Sequence, residues 1–222
     1  KMTHNTNNVA IGYNSLTNLA GSGGIYNTFV GDDSGVSLTN ADYNTGVGSG
    51  VFGEASGNAM TGVGNTGVGS LAGYNLEGVA HSNTLIGYGA GNASNAITTG
   101  ISNVCIGDGA STSSATADNQ ISIGTGAVGQ ANDTVTLGNT TVTDVYMASD
   151  SGAKVHCGDI DVERDGGSSS FIAFFHNDGD AANRYGLRID AGAYDASGTT
   201  YYMACKDGDG GAVGHIANTS GT

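Results

Sequence analysis

The chain has 222 residues, of which 40 are Gly and none is Pro, with 12% charged residues and a formal net charge of -14. Gly stands well over twice its usual share of roughly 7%, and the absence of Pro together with the lack of a three-residue Gly period excludes collagen. A charged fraction this low does not fit a disordered chain, and the acidic balance disfavours nucleic acid and anionic membranes as partners.

The basic residues are unevenly placed. After Lys1 come only Lys154, Arg164, Arg184, Arg188 and Lys206, so residues 2–153 contain no Lys or Arg. This break divides the chain into a region 1–152 and a region 153–222. No apolar run reaches 18 residues, so no membrane insertion is expected. The first residue is Lys and no signal peptide opens the chain, which reads as a fragment or a processed product.

Along the first region one five-residue phrase recurs: a polar residue, Thr or a β-branched residue, any residue, then Ile, Val or Leu, then Gly. It begins at Asn8, Asn27, Asn44, Asn65, Asn83, Asn103, Gln120 and Thr134. The closing glycines are Gly12, Gly31, Gly48, Gly69, Gly87, Gly107, Gly124 and Gly138, at spacings of 19, 17, 21, 18, 20, 17 and 14 residues. Side chains alternate along a strand, so the second and fourth positions of each phrase share a face, expected to point inward, and the Gly permits a sharp turn. A small residue often follows two or three positions later ("GYNS", "GDDS", "GSLA", "GYGA"), which suggests a second tightly packed segment per coil. Stacking such coils places the asparagines in one column, where amides can hydrogen-bond from coil to coil. The expected fold is all-β: a parallel β-roll or β-solenoid of about eight coils, spanning roughly 38 Å at about 4.8 Å per coil. Coils this small have too few inward residues for a core of their own, which favours several rolls packing side by side around an axis.

The phrase "NVAIGYNS" (8–15) and its copies resemble the head repeats of trimeric autotransporter adhesins, the YadA-like left-handed parallel β-rolls, and the same phrases occur in tail-fibre proteins of tailed phages. The resemblance covers about residues 5–140 and implies a parallel homotrimer. Most coils here are longer than in those heads. The extra residues, such as "TNLAGSGGIY" (17–26), are expected to form loops on one face, where repeat proteins often bind.

From about residue 153 the pattern becomes that of an antiparallel β module of four or five strands. Strand-like runs lie at 168–176, 184–190, 199–206 and 212–217, with turns at 177–180, 191–198 and 207–211. Phe171, Phe174 and Phe175 make the first of these runs apolar on both faces, as for a strand covered on both sides. The stretch from Asn183 to Thr222 resembles a module of phage tail fibres. That resemblance implies a following intramolecular chaperone that trimerises the fibre and is then cleaved away.

Signs of chemistry are weak. Gly62, Gly64 and Gly67 spell G-x-G-x-x-G, but the helix and the acid that a dinucleotide site needs do not follow. The acidic turns "KDGDGG" and "HNDGDAAN" lack the ligands of an EF-hand at the required positions. His4, His81, His156, His176 and His215 are isolated, although a His on a three-fold axis could meet its copies around a metal. Asp32–Asp33 reads as a solvated turn, and no catalytic triad is proposed. Cys105, Cys157 and Cys205 read as buried thiols or, failing that, as intermolecular disulfides. Tyr13, Tyr26, Tyr43, Tyr74 and Tyr88 flank the phrases and either pack at coil corners or stack on sugars. Thr28, Thr45, Thr66 and Thr84 form one partial column, which at inward positions would not serve an ice-binding surface.

No catalytic, cofactor-binding or metal-binding residue is therefore assigned, no cofactor is expected, and the sequence does not single out ligand-binding residues. The expected function is that of a non-enzymatic segment of a trimeric phage tail fibre in the virion. Its partners would be two further copies of itself, a bacterial surface glycan or protein receptor, and other tail proteins, with no nucleic acid. The alternatives are the head of a bacterial trimeric surface adhesin and an extracellular filament subunit that binds nothing.

Overall fold

The structure is a computed structural model that describes residues 7–19, 24–53 and 58–147, and the backbone of 199–206 and 212–219. The chain divides into two compact units, Lys1–Ala153 and Lys154–Thr222.

In the first unit, eight three-residue strands form one parallel sheet in sequence order: β1 (Val9–Ile11), β2 (Thr28–Val30), β3 (Thr45–Val47), β4 (Thr66–Val68), β5 (Thr84–Ile86), β6 (Val104–Ile106), β7 (Ile121–Ile123) and β8 (Val135–Leu137). Each recurring phrase supplies one strand, and eight strands in order make a β-solenoid of seven coil-to-coil steps. No helix occurs among the described residues. The register is uniform, with Thr28 facing Thr45, Thr45 facing Thr66 and Thr66 facing Thr84.

The leading asparagines build a continuous polar spine inside the roll. Asn27, Asn44, Asn65, Asn83 and Asn103 are fully buried. The Oδ1 of Asn65 accepts both the backbone N–H and the Nδ2 of Asn83, each at 3.0 Å. Asn44 receives Asn65 in the same way at 2.9 and 3.0 Å, and Asn83 receives Asn103 at 3.0 and 3.1 Å. Each Nδ2 also donates to a carbonyl at the end of its own coil: Asn27 to Ala41, Asn44 to Gly62, Asn65 to Ala80, Asn83 to Gly100 and Asn103 to Ala117. An amide is suited to this task because it carries acceptor and donor on one short side chain. One residue thus closes its own coil and fixes the next. At Gln120 the pattern changes: its N–H still reaches Asn103, but its longer amide turns to Ser113.

The closing glycines are needed for two separate reasons. Gly87 has φ +131°, and a Cβ there would lie 2.5 Å from the carbonyl oxygen of Gly107 on the next coil. The corner is therefore closed to any side chain by conformation and by contact.

Between these corners the interior is filled by large and small residues that answer one another. From β2 to β7 the middle residue of the strand faces inward, giving Phe29, Gly46, Gly67, Leu85, Cys105 and Ser122 in turn, all buried. Phe52, from a corner of the third coil, lies edge-on to Phe29 with ring centroids 5.7 Å apart. A Cβ on Gly67 would come within 2.8 Å of the Phe52 ring. Gly67 is small because Phe52 occupies its share of the interior.

One expectation is corrected. The second and fourth positions of the phrase face outward, and the third faces inward. Thr45 and Val47 are partly or fully exposed while Gly46 between them is buried. Alternation admits two orientations, and the polar spine with its adjacent interior selects this one. Of the expected loop 17–26, residues 17–19 and 24–26 are described: Leu19 is buried in the core, and the carboxylate of Asp42 accepts the N–H groups of Gly24 and Ile25. Met60 is buried and bridges Leu38 and Gly78 in parallel, so it belongs to the return wall that neighbouring coils share. The small residues after each Gly do form a second packed segment. Ser34, Val51, Ala72, Ala90, Ala110 and Ala127 are buried or nearly so, and the N–H of Gly73 donates to Ala90 and that of Gly91 to Ala110 at 2.8 Å.

In the second unit, β9 (Thr199–Lys206) and β10 (Ala212–Thr219) pair antiparallel with two irregularities of register. The expected strands at 168–176 and 184–190 and the turns at 177–180, 191–198 and 207–211 lie outside the described residues.

Two substitutions test the spine and the corner. Replacing Asn65 by Ala strands buried donors and acceptors on two coils and should lower unfolding free energy by about 2–4 kcal/mol; Asn18→Ala, on the exposed side, should cost less than about 1 kcal/mol. Gly87→Ala should destabilise by more than about 2 kcal/mol, whereas Gly89→Ala, with φ +58° and nothing within 4 Å of its Cβ, should cost about 1 kcal/mol. Denaturant titration of each variant measures both contrasts.

Candidate functional site

The most extensive surface feature of the roll is the outer face of its sheet. One column runs Val9, Thr28, Thr45, Thr66, Thr84, Val104, Ile121 and Val135; the other runs Ile11, Val30, Val47, Val68, Ile86, Ile106, Ile123 and Leu137. None of these positions is charged, in a chain of net charge -14. Val47, Val68, Ile86 and Ile123 are 38–40% exposed. At about 4.8 Å per step the face extends for about 34 Å. The second column is apolar at every step and the first carries Thr at four successive levels, so the face is uncharged throughout, where an ordinary solvated sheet face is polar.

The strip is bordered by two corners. On one side, the residue before each phrase adopts left-handed φ: Asn7 (+65°), Tyr26 (+59°), Tyr43 (+57°), Gly64 (+69°), Ser82 (+58°), Ser102 (+58°), Asn119 (+52°) and Asp133 (+62°). Tyr26 and Tyr43 are exposed and stack face to face, with ring centroids 5.2 Å apart and planes 9° from parallel. On the other side, Tyr13 and Tyr88 follow the closing glycines and are 75% and 60% exposed. Tyr74 instead lies over Gly50 and Gly53, filling space that a side chain would otherwise take.

The other residues weighed from sequence fall as follows. Gly62, Gly64 and Gly67 do not converge on a phosphate-sized cradle: Gly62 packs on the Ala80 carbonyl, Gly64 is an exposed corner and Gly67 faces Phe52. Asp32 is exposed, while Asp33 accepts the Asn14 amide at 3.0 Å. His81 contacts the Ser82 hydroxyl at 3.3 Å. His4, His156, His176 and Cys157 lie outside the described residues, as do the side chains of Cys205 and His215. Among the described residues no three His, Cys, Asp or Glu side chains gather in a way that could hold a metal, and no helix is long and apolar enough to cross a membrane. A depression of ≈ 410 Å³ is lined by Asp33, Ser49, Leu71 and Tyr74 among others, and one of ≈ 520 Å³ lies beside β8; neither brings two carboxylates together.

Cys105 is a free, buried thiol in the inward column of β6. Desolvation pushes its pKa up to about 12. The thiolate is the reactive form, so burial suppresses its nucleophilicity twice, through access and through ionisation.

No family model matches the chain, and neither curated proteins nor solved structures yield a match.

Cys105 should therefore resist maleimide at pH 8 in the native protein and become modified only after denaturation. Peptide mapping by mass spectrometry distinguishes it from the other two cysteines.

Proposed function

We propose that this chain is a non-enzymatic segment of a homotrimeric phage tail fibre that attaches the virion to a bacterial surface. The observation that carries the reading is the uncharged outer face of β1–β8, which gives each roll a strip to pack against two further copies. Three such strips around a common axis would remove from water the apolar side chains that a single roll leaves exposed. The likeness of the repeated phrase to phage-fibre and adhesin-head repeats supports the placement in a fibre, and the antiparallel pair β9–β10 is consistent with a small β module of four or five strands beyond the roll. Host attachment would draw on avidity from three chains, each presenting weak contacts on a rigid rod. A bacterial surface adhesin head or a filament subunit would use the same strip for the same packing.

A second reading rests on one observation. Thr28, Thr45, Thr66 and Thr84 point outward beside Val30, Val47, Val68 and Ile86, a Thr and aliphatic array in uniform register of the kind an ice-binding face requires. The two readings claim the same surface and separate on oligomeric state. Light scattering should return three times the 21.9 kDa chain mass. Val68→Asp and Ile86→Lys should shift it to monomer while keeping the β-sheet circular dichroism. A wild-type monomer that shows thermal hysteresis and partitions into growing ice would replace the fibre reading with the ice-binding one.

A further inference from the structure

We infer that the corner beside Tyr43 is a glycan subsite that takes one neutral or amino-substituted pyranose ring, stacked on Tyr43 above Gly64. The inference rests on the host-attachment reading and names the site through which it would act.

The corner column sets the geometry. Backbone bonds from Tyr43 N–H to Ile25, from Gly64 N–H to Asp42 and from Ser82 N–H to Val63, at 3.0–3.1 Å, hold four successive coils in register there. Tyr26 and Tyr43 occupy the first two levels as a parallel stack at the coil repeat. The third level is Gly64, which is exposed and has nothing within 4 Å of where its Cβ would be. The fourth level is Ser82, whose hydroxyl meets the His81 imidazole. Two coil steps, about 9.6 Å at about 4.8 Å each, thus separate the Tyr43 level from the Ser82 level. That is room for one further ring in the stack, with polar groups on its far side.

The same corner on other coils is held by Gly, Ser, Asn or Asp. Tyr26 and Tyr43 take the same left-handed φ there, and the ring pair they form is directed to solvent.

The chemistry selects the ligand. The axial C–H groups of a pyranose carry partial positive charge and settle on the negative face of an aromatic ring. Ser82 and His81 supply hydrogen bonds to ring hydroxyls, which an apolar aromatic side chain from a protein partner would leave unused. Residues 2–153 contain no Lys or Arg, and Asp42 adjoins Tyr43. Acidic sugars would therefore meet uncompensated negative charge, so neutral and amino sugars are the class that fits.

The test uses the full chain and three probes: methyl glucoside, methyl galactoside and methyl N-acetylglucosaminide. Saturation-transfer NMR should detect at least one bound to the wild type. Tyr43→Ala should weaken that binding about ten-fold or more. Gly64→Tyr, which continues the stack at a φ of +69° close to those of Tyr26 and Tyr43, should block the slot to the same degree while leaving circular dichroism and oligomeric state unchanged. Binding that survives both substitutions overturns the inference, as does failure of the wild type to bind any of the three. If the wild type still adheres to host cells while binding none of them, the subsite fails and attachment through another chemistry stands; if it binds neither, both fall.

Discussion

A buried amide needs all of its hydrogen bonds, and that requirement organises the roll. From Asn27 to Asn103, five fully buried asparagines each hold the next coil with one oxygen and close their own coil with one nitrogen. A coil shifted by one residue would take its amide out of the spine and leave several donors and acceptors without partners. Register is thus specified by polar satisfaction, in a molecule whose thin interior offers little apolar area to specify it otherwise.

The remaining architecture follows from that column. With the amide turned inward, the next residue must turn outward, the one after it inward, and the fourth outward again. The Gly at the fifth position then lies against the Gly of the adjacent coil so closely that no side chain fits. What is left of the interior is narrow, and Phe29, Phe52 and Leu85 share it with Gly35, Gly46, Gly67 and Gly73. The apolar regularity of the phrase consequently appears on the outside. In this reading an interface between rolls provides the burial that the inside of one roll lacks.

Much of the fold could be read from residues alone. The eight strands, the coil spacing, the asparagine column and the second packed segment all follow from the phrase, because a polar residue, a short strand-forming run and a Gly recur in a fixed order. The inside-outside assignment did not follow, because apolar residues at the second and fourth positions suit a core and an interface equally. The third position looks arbitrary in sequence (Ala, Phe, Gly, Gly, Leu, Cys, Ser, Thr). Its identity depends on which corner residue from another coil reaches the same space, and this pairing is not local. The G-x-G-x-x-G of Gly62, Gly64 and Gly67 has the same origin: a close approach to Ala80, an open corner and a partner for Phe52 coincide by spacing. The tyrosine corner was visible as scattered aromatics, but the stacking of Tyr26 on Tyr43 depends on the register that sets the residues before Asn27 and Asn44 one above the other.

A spine of dry, fully bonded amides has one direct spectroscopic consequence. The Nδ2 protons of Asn44, Asn65, Asn83 and Asn103 are buried and donate at both ends of each coil, so they exchange with solvent only when the roll opens. Hydrogen–deuterium exchange followed on nitrogen-15-labelled side-chain amides measures this directly. The account predicts that these protons persist for hours while those of exposed Asn14 and Asn18 are gone within the dead time. Exchange of the spine amides at the rate of the exposed ones would contradict it.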